Sequence, residues 1–235
     1  MTIVTPSKWL AECAKSSSLF QNCDIRMIPN GVDIDTYKPC DRQTARNLLS
    51  IPQNKKLILF GAIAATANKR KGFHLLLSAL QKLSQSGWKD KIELIVFGAS
   101  QPENPVDLGF KVHYLGKIFD ENKLAILYSS ADVMIVPSIE DNLPLTVMES
   151  IACGTPVVSF DSTGLKDIVE HQNNGYRAKC FSWDDLANGI AWVIEDKERH
   201  QKLCARAREK AEQEFTMELV ARNYLSVFNE LCITS

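Results

Sequence analysis

The chain holds 235 residues, 45% hydrophobic and 23% charged, enough to bury a sizeable core as one large domain or as one domain with an attached piece. Its 27 Lys+Arg against 28 Asp+Glu leave a formal net charge of -1, and with no basic tract nucleic acid is disfavoured as a partner. No apolar run approaches the roughly 18 residues that a membrane span needs, and the opening MTIVTPSKWLAEC lacks the charged and apolar zones of a signal peptide.

Taken in chain order, Thr2–Thr5 reads as a strand, Ser7 as a helix cap, and KWLAECAKSS as the helix that follows. A second strand at 25–28 runs into IPNGVD, where Asn30-Gly31 signals a turn or linker. Further strands are expected at 57–60, Ile92–Phe97, 112–115, Val133–Val136 and Val157–Phe160. Most are continuous Val, Ile, Leu and Phe runs, as strands buried on both faces of a parallel sheet require. Helical patterns separate them: 73–87 with an apolar stripe and a terminal glycine, and a helix opened by Asp120. After Phe160 come a turn region, STGLKDIVE, the segment NNGYRA, and three helices at 182–196, Lys197–Glu214 and 217–231. Ser182 and Thr216 are suited to cap the first and last of these. Such alternation predicts right-handed crossovers and an α/β fold with a doubly wound parallel sheet.

In an open sheet of this kind ligands sit beyond the carboxyl ends of the strands. Three loops leave strands for helices and can meet there: GAIAATANKRKG after Phe60, GASQPENP after Phe97 and PSIEDNLP after Val136. No GxGxxG occurs, which disfavours NAD and FAD. In the third loop Pro144 can occupy the first helical turn, so that the N–H groups of Leu145, Thr146 and Val147 point outward as a phosphate site. Glu149, four residues after Leu145 and three after Thr146, shares their face. A carboxylate there repels phosphate but suits the hydroxyls beside one, such as those of a ribose; alternatively it caps free N–H groups or pairs with Lys or Arg. Lys69, Arg70 and Lys71 precede Gly72 and the next helix, either to neutralise a second phosphate or as a solvated loop. The seven cysteines are scattered without CxxC spacing, which predicts reduced thiols, most of them packing residues, and the four isolated histidines predict structural or surface roles rather than metal ligation.

Several segments together resemble the retaining nucleotide-sugar glycosyltransferases of family 4, whose GT-B fold joins two Rossmann-like domains. They are IPNGVD with Tyr37-Lys38-Pro39, ILFGA, RKGFHLLLSAL, ELIVFG, VHYLGKI, LYSSADVMIVPS, DNLPLTVMESIACGTPVV and DIVEHQNNGYRA, covering nearly the whole chain. The resemblance is to the C-terminal, donor-binding domain. It implies that Glu149 is the second glutamate of the E-x7-E motif, holding the donor ribose, and that Asp141 takes the first position, where the family usually has glutamate against the transferred sugar. Glu140 is the neighbour that can make that contact instead, with Asn142 beside it. Lys71 matches the phosphate-binding lysine; Ala62 stands where an arginine usually follows the loop's glycine, here Gly61, leaving Arg70 as the replacement charge. Leu115, Gly116 and Lys117 match the loop that meets the base through its backbone, while Leu145 and Thr146 open the donor-binding helix.

By the same resemblance, residues 1–29 correspond to the end of an N-terminal acceptor domain plus linker, 30–214 to the nucleotide-sugar-binding domain, and 215–235 to a helix crossing back. The implied donor is a UDP-, GDP- or ADP-sugar and the implied acceptor a sugar or lipid-linked molecule reached through the N-terminal domain, with no cofactor or metal required. The implied setting is hexosyl transfer in polysaccharide biosynthesis in the cytoplasm, peripheral at the inner membrane in the full-length enzyme. By itself such a half should bind donor yet transfer no sugar at a useful rate. The alternatives are a GT-B epimerase or phosphorylase, or a nucleotide-binding module without catalysis.

Overall fold

The computed structural model describes residues 1–61 and 68–233. Strand β1 (Thr2–Thr5) leads into helix α1 (Lys8–Ser16), capped by Ser7 Oγ accepting the Leu10 N–H at 3.1 Å, and returns as β2 (Asp24–Met27), parallel to β1. A linker follows, tied back where the Val32 N–H donates to Phe215 O at 2.8 Å. Then come α2 (Arg42–Leu48), β3 (Lys56–Gly61), a single 3-10 turn (Lys69–Lys71), α3 (Phe73–Leu83), β4 (Ile92–Phe97), β5 (Lys111–Tyr114) and α4 (Glu121–Ser130). The second half holds β6 (Val133–Val136), α5 (Leu145–Ala152), β7 (Val157–Phe160), α6 (Leu165–Ile168), β8 (Gly175–Ala178), α7 (Trp183–Glu195), α8 (Lys197–Glu214) and α9 (Met217–Ile233).

Six strands form one sheet in the order β5-β4-β3-β6-β7-β8, every neighbouring pair parallel. The chain builds outward from β3 to one edge, crosses back through α4, and builds outward from β6 to the other, which is the doubly wound α/β arrangement. Alternate strand residues face opposite layers. Leu57, Leu59, Met134 and Val136 pack with Leu127, Val147, Ile151 and Ala211 on one side, and Ile58, Phe60, Val133 and Ile135 with Leu76, Leu80, Ile190 and Val193 on the other. Period-two alternation therefore decides the layer rather than inside versus outside, which is why both faces are apolar in the sequence.

The elements differ from the expected ones in identifiable places. β2 and β5 each begin and end one residue earlier than predicted. α3 stops at Leu83, not Gly87, because Ser86 and Gly87 leave helical backbone angles. The short α2 and the edge strand β8 were not expected, and the region read as a turn contains α6. Of the cysteines, all free, only Cys153 is buried, so the expectation that most pack in the core does not hold. α9 buries Val227 while Leu225 and Phe228 stand exposed. No helix among the described residues is long and apolar enough to cross a membrane.

At the amino-terminal edge of the sheet, Asp132 joins a buried ion pair with Arg46 at 2.7 Å, both side chains 5% exposed. The same carboxylate accepts the Leu57 N–H at 2.7 Å, and its backbone oxygen lies 2.7 Å from Nε2 of the buried His200. These groups fasten α2 and α8 to the end of the sheet opposite the candidate site.

Candidate functional site

The sheet order reverses between β3 and β6, and a crevice opens where their carboxyl ends part. A small cavity there, about 120 Å³, is lined by Phe60 and Gly61 of β3, Lys71, Phe97 of β4, Val136, Pro137, Ser138, Asp141, Pro144 and Thr146. Its volume is below the several hundred Å³ usual for a small-molecule site, so these residues form the floor of a more open groove.

Lys71 enters the groove by way of Gly72. The turn carrying it ends with Gly72 in the left-handed region at φ 68°, packed so closely on β6 that a Cβ would collide with the Pro137 carbonyl. The Ile139 N–H also donates to Arg70 O at 2.8 Å, fixing the turn to the loop after β6. Lys71 Nζ meets Asp141 Oδ2 at 2.7 Å, and Ser138 Oγ donates to the same oxygen at 3.2 Å. The Asp141 backbone is held from the other side, its oxygen accepting Thr163 Oγ1 at 2.7 Å and the Gly164 N–H at 3.1 Å. Of the two neighbouring acids it is thus Asp141 that lines the groove, whereas Glu140 is exposed. Arg70 is exposed too, its Nη1 donating to Glu140 O at 2.6 Å. The Asn142 Oδ1 accepts from Ser7 Oγ at 2.5 Å and so serves the start of α1.

Pro144 sits one position earlier than expected, as the residue flanking α5 rather than in its first turn. In consequence the Val147 N–H is spent on Pro144 O at 3.1 Å and does not point outward. The N–H groups of Leu145 and Thr146 have no acceptor among the described residues. Two orphan donors at the positive end of a helix, with Lys71 across the groove, form an anion-attracting pair of walls.

Glu149 lies one turn further along α5, half-buried, and among the described residues it neither caps N–H groups nor pairs with Lys or Arg. Its Oε2 accepts from Tyr128 Oη at 2.7 Å. Burial pushes its carboxyl above the ordinary value; the Tyr128 bond pulls it partly back, and the charge of Glu121 adds a further upward push. Sequence reasoning missed Tyr128, which periodicity assigns to the core. Leu115, Gly116 and Lys117 follow β5 along the end of β4: the Leu115 N–H donates to Val96 O at 2.9 Å and Gly116 O accepts the Gly98 N–H at 2.7 Å. Ala62 lies outside the described residues. Among the described residues no group of three or more His, Cys, Asp or Glu side chains is arranged to hold a metal ion.

Known proteins share this architecture. A D-inositol 3-phosphate glycosyltransferase of Xylanimonas cellulosilytica is 30% identical over 223 residues, which are 87% of this chain and 51% of that protein. The sucrose-phosphate synthase of Thermosynechococcus elongatus matches the whole chain with a TM-score of 0.83 at 25% identity, over 59% of its own length. The HepE protein of Anabaena, solved in complex with UDP and glucose, matches 97% of this chain and 62% of its own with a TM-score of 0.75; at 21% identity that likeness carries the fold alone. This chain thus spans about half the length of the curated relatives it matches. Residues 41–213 match the family described as "Glycosyl transferases group 1", and the chain belongs to that family.

Proposed function

We propose that this chain is the donor-binding, C-terminal domain of a retaining glycosyltransferase of family 4, and that the groove at the β3/β6 reversal holds a nucleoside diphosphate sugar. The observation that carries the reading is the pair of N–H groups at Leu145 and Thr146 that have no acceptor among the described residues, at a helix start whose Thr146 lines the same cavity as Lys71 at the switch point of the sheet. Diphosphate oxygens accept from the helix end, Lys71 exchanges its bond to Asp141 for a phosphate oxygen, and Asp141 turns to a hydroxyl of the sugar. Glu149 accepts from ribose hydroxyls, and Leu115, Gly116 and Lys117 offer backbone groups to the base. As the bond to the sugar breaks, negative charge grows on the departing diphosphate, and preorganised donors stabilise it most at that moment. Arg70 is near enough in sequence to contribute once released from Glu140 O. The acceptor, a sugar or lipid-linked molecule, is supplied against the remainder of a full-length enzyme, and the reaction needs no metal.

UDP, GDP or ADP should raise the melting temperature of the chain, and NAD should not. A nucleotide at a hundredfold excess over Kd stabilises the native state by about 2.7 kcal/mol, well within the reach of thermal-shift measurement. Stabilisation by NAD with none by any of the three diphosphates would overturn the reading.

Glu149→Gln is expected to weaken nucleotide binding by about 1–3 kcal/mol, the worth of hydrogen bonds to a charged group, while leaving the fold as stable or more so. The sign follows from burial. A carboxyl whose folded pKa lies above its unfolded value of 4.5 gives stability below that value and loses it as pH rises through the folded one. At neutral pH the ionised group is therefore a cost that the amide removes, and the amide oxygen still accepts from Tyr128. Calorimetry and urea unfolding of the same preparation check both halves.

A further inference from the structure

Tyr128 has no freedom to choose its partner. The side chain is wholly buried in the core, with Phe97 edge-on at 5.9 Å and 87° and Tyr37 tilted against it at 6.3 Å and 55°. Those rings fix the phenol, and its one polar atom is delivered to Glu149 Oε2. The other carboxylate oxygen, Oε1, has no donor among the described residues. A glutamate on a short helix otherwise samples several rotamers and either oxygen can turn outward; here one oxygen is pinned from inside the domain.

We infer that Tyr128 is a positioning residue of the groove: its hydroxyl anchors Oε2 of Glu149 so that Oε1 is presented, in a fixed orientation, to the hydroxyls of a bound nucleotide. The inference rests on reading the groove as a nucleoside diphosphate site. It has an electrostatic corollary. The titratable groups around the carboxylate are Tyr128 and Glu121 from α4, Tyr37 from the linker and Cys153 from the end of α5. Burial above all, and Glu121 to a lesser degree, disfavour the ionised form, the phenol favours it by donating a hydrogen bond, and burial keeps the phenol itself protonated and able to donate. Tyr128 therefore both aims the carboxylate and helps keep it charged.

The test compares wild type, Tyr128→Phe and Glu149→Gln, the last serving to assign the Glu149 carboxyl signal by carbon-13 NMR. Tyr128→Phe keeps the ring and its packing and removes the donor. The Glu149 titration should move to higher pH, and the affinity for UDP, GDP or ADP at neutral pH should fall about tenfold, the factor that roughly 1.4 kcal/mol carries. Because binding needs the ionised carboxylate, the acid limb of the affinity profile should also move to higher pH. If Tyr128→Phe does not fold, fluorotyrosine placed at position 128 strengthens the donor instead, and the titration should move to lower pH. An unmoved titration, or a loss of affinity equal at every pH, overturns the inference, since a merely structural role gives that pattern. So does a shifted titration with unchanged affinity in a protein that binds nucleotide. Wild type binding none of the three nucleotides, with the titration still shifted, instead identifies the functional reading as the failure and takes the positioning role down with it.

Discussion

Asp132→Ala is expected to destabilise the fold by about 3–5 kcal/mol, the cost of removing one partner from a buried ion pair. Against a typical total of about 5–15 kcal/mol, that is a large share of the stability of a domain. Arg46, 5% exposed, would keep its bonds to the carbonyls of Ser130, Gln53 and Lys55 but would lose its counter-charge. Burial already pushes the guanidinium below its ordinary value and Asp132 is what opposes that push. The Leu57 N–H, at the start of the central strand, would lose its acceptor as well. Arg42 and Lys56, at 3.4 and 3.8 Å from the same carboxylate, are half-exposed and can turn to water, so they add little to the loss. Urea unfolding measures the effect. A loss under about 1 kcal/mol would place Asp132 among ordinary surface pairs. Because the pair lies at the edge of the sheet away from the groove, the nucleotide affinity of the molecules that remain folded should be unchanged.

Gly72→Ala should damage stability and binding together. A residue with a Cβ pays about 1–2 kcal/mol in the left-handed region, and here the added carbon also meets the Pro137 carbonyl at the end of β6. The conflict is with backbone, not with the tip of a flexible side chain, so the turn Lys69–Lys71 has to move. Moving it breaks the Ile139 to Arg70 bond and carries Lys71 away from Asp141. A combined loss of about 2 kcal/mol or more in folding is expected, with nucleotide binding weakened further than in any variant confined to the surface of that turn. Melting curves with and without nucleotide separate the two effects. Wild-type behaviour in both would mean that the turn accommodates a side chain and that Lys71 is held by something other than this contact.

The central strands were legible because parallel strands covered on both faces leave unbroken apolar runs, as in ELIVFG and DVMIVP. The edge strand β8 was not, since Gly175 and Arg177 interrupt any such run and one side of an edge strand needs no covering layer. α2 escaped notice for a different reason: at seven residues it is too short to display a helical period, although its Asp41 cap, accepting the Thr44 N–H at 2.9 Å, was present as a signal. In the groove, the meeting of Lys71 with Asp141 and Thr146 was readable from two loops, after Phe60 and after Val136, that leave strands at one edge. The exact donors were not, because a one-residue difference in where Pro144 sits decides whether the Val147 N–H is free. The Tyr128 contact was beyond sequence reasoning altogether. It depends on how α4 and α5 lie side by side over the sheet, and periodicity can only say that Tyr128 points inward.

The reversal of strand order also bears on how the groove comes into being. β3 joins β4 along its whole length, from Lys56 opposite Ile92 to Gly61 opposite Phe97, but touches β6 only from Ile58 opposite Val133 to Phe60 opposite Ile135. The first junction closes a short excursion of chain; the second waits until two further strands and α4 have been laid down, and longer closures carry a larger entropic penalty. The groove stands on that later, shorter seam. A growing chain can therefore zip β3, β4 and β5 together while Lys71 still faces nothing, and Asp141, Thr146 and Glu149 arrive as a group once α5 is in place. Timing, in this molecule, separates making a sheet from making a site.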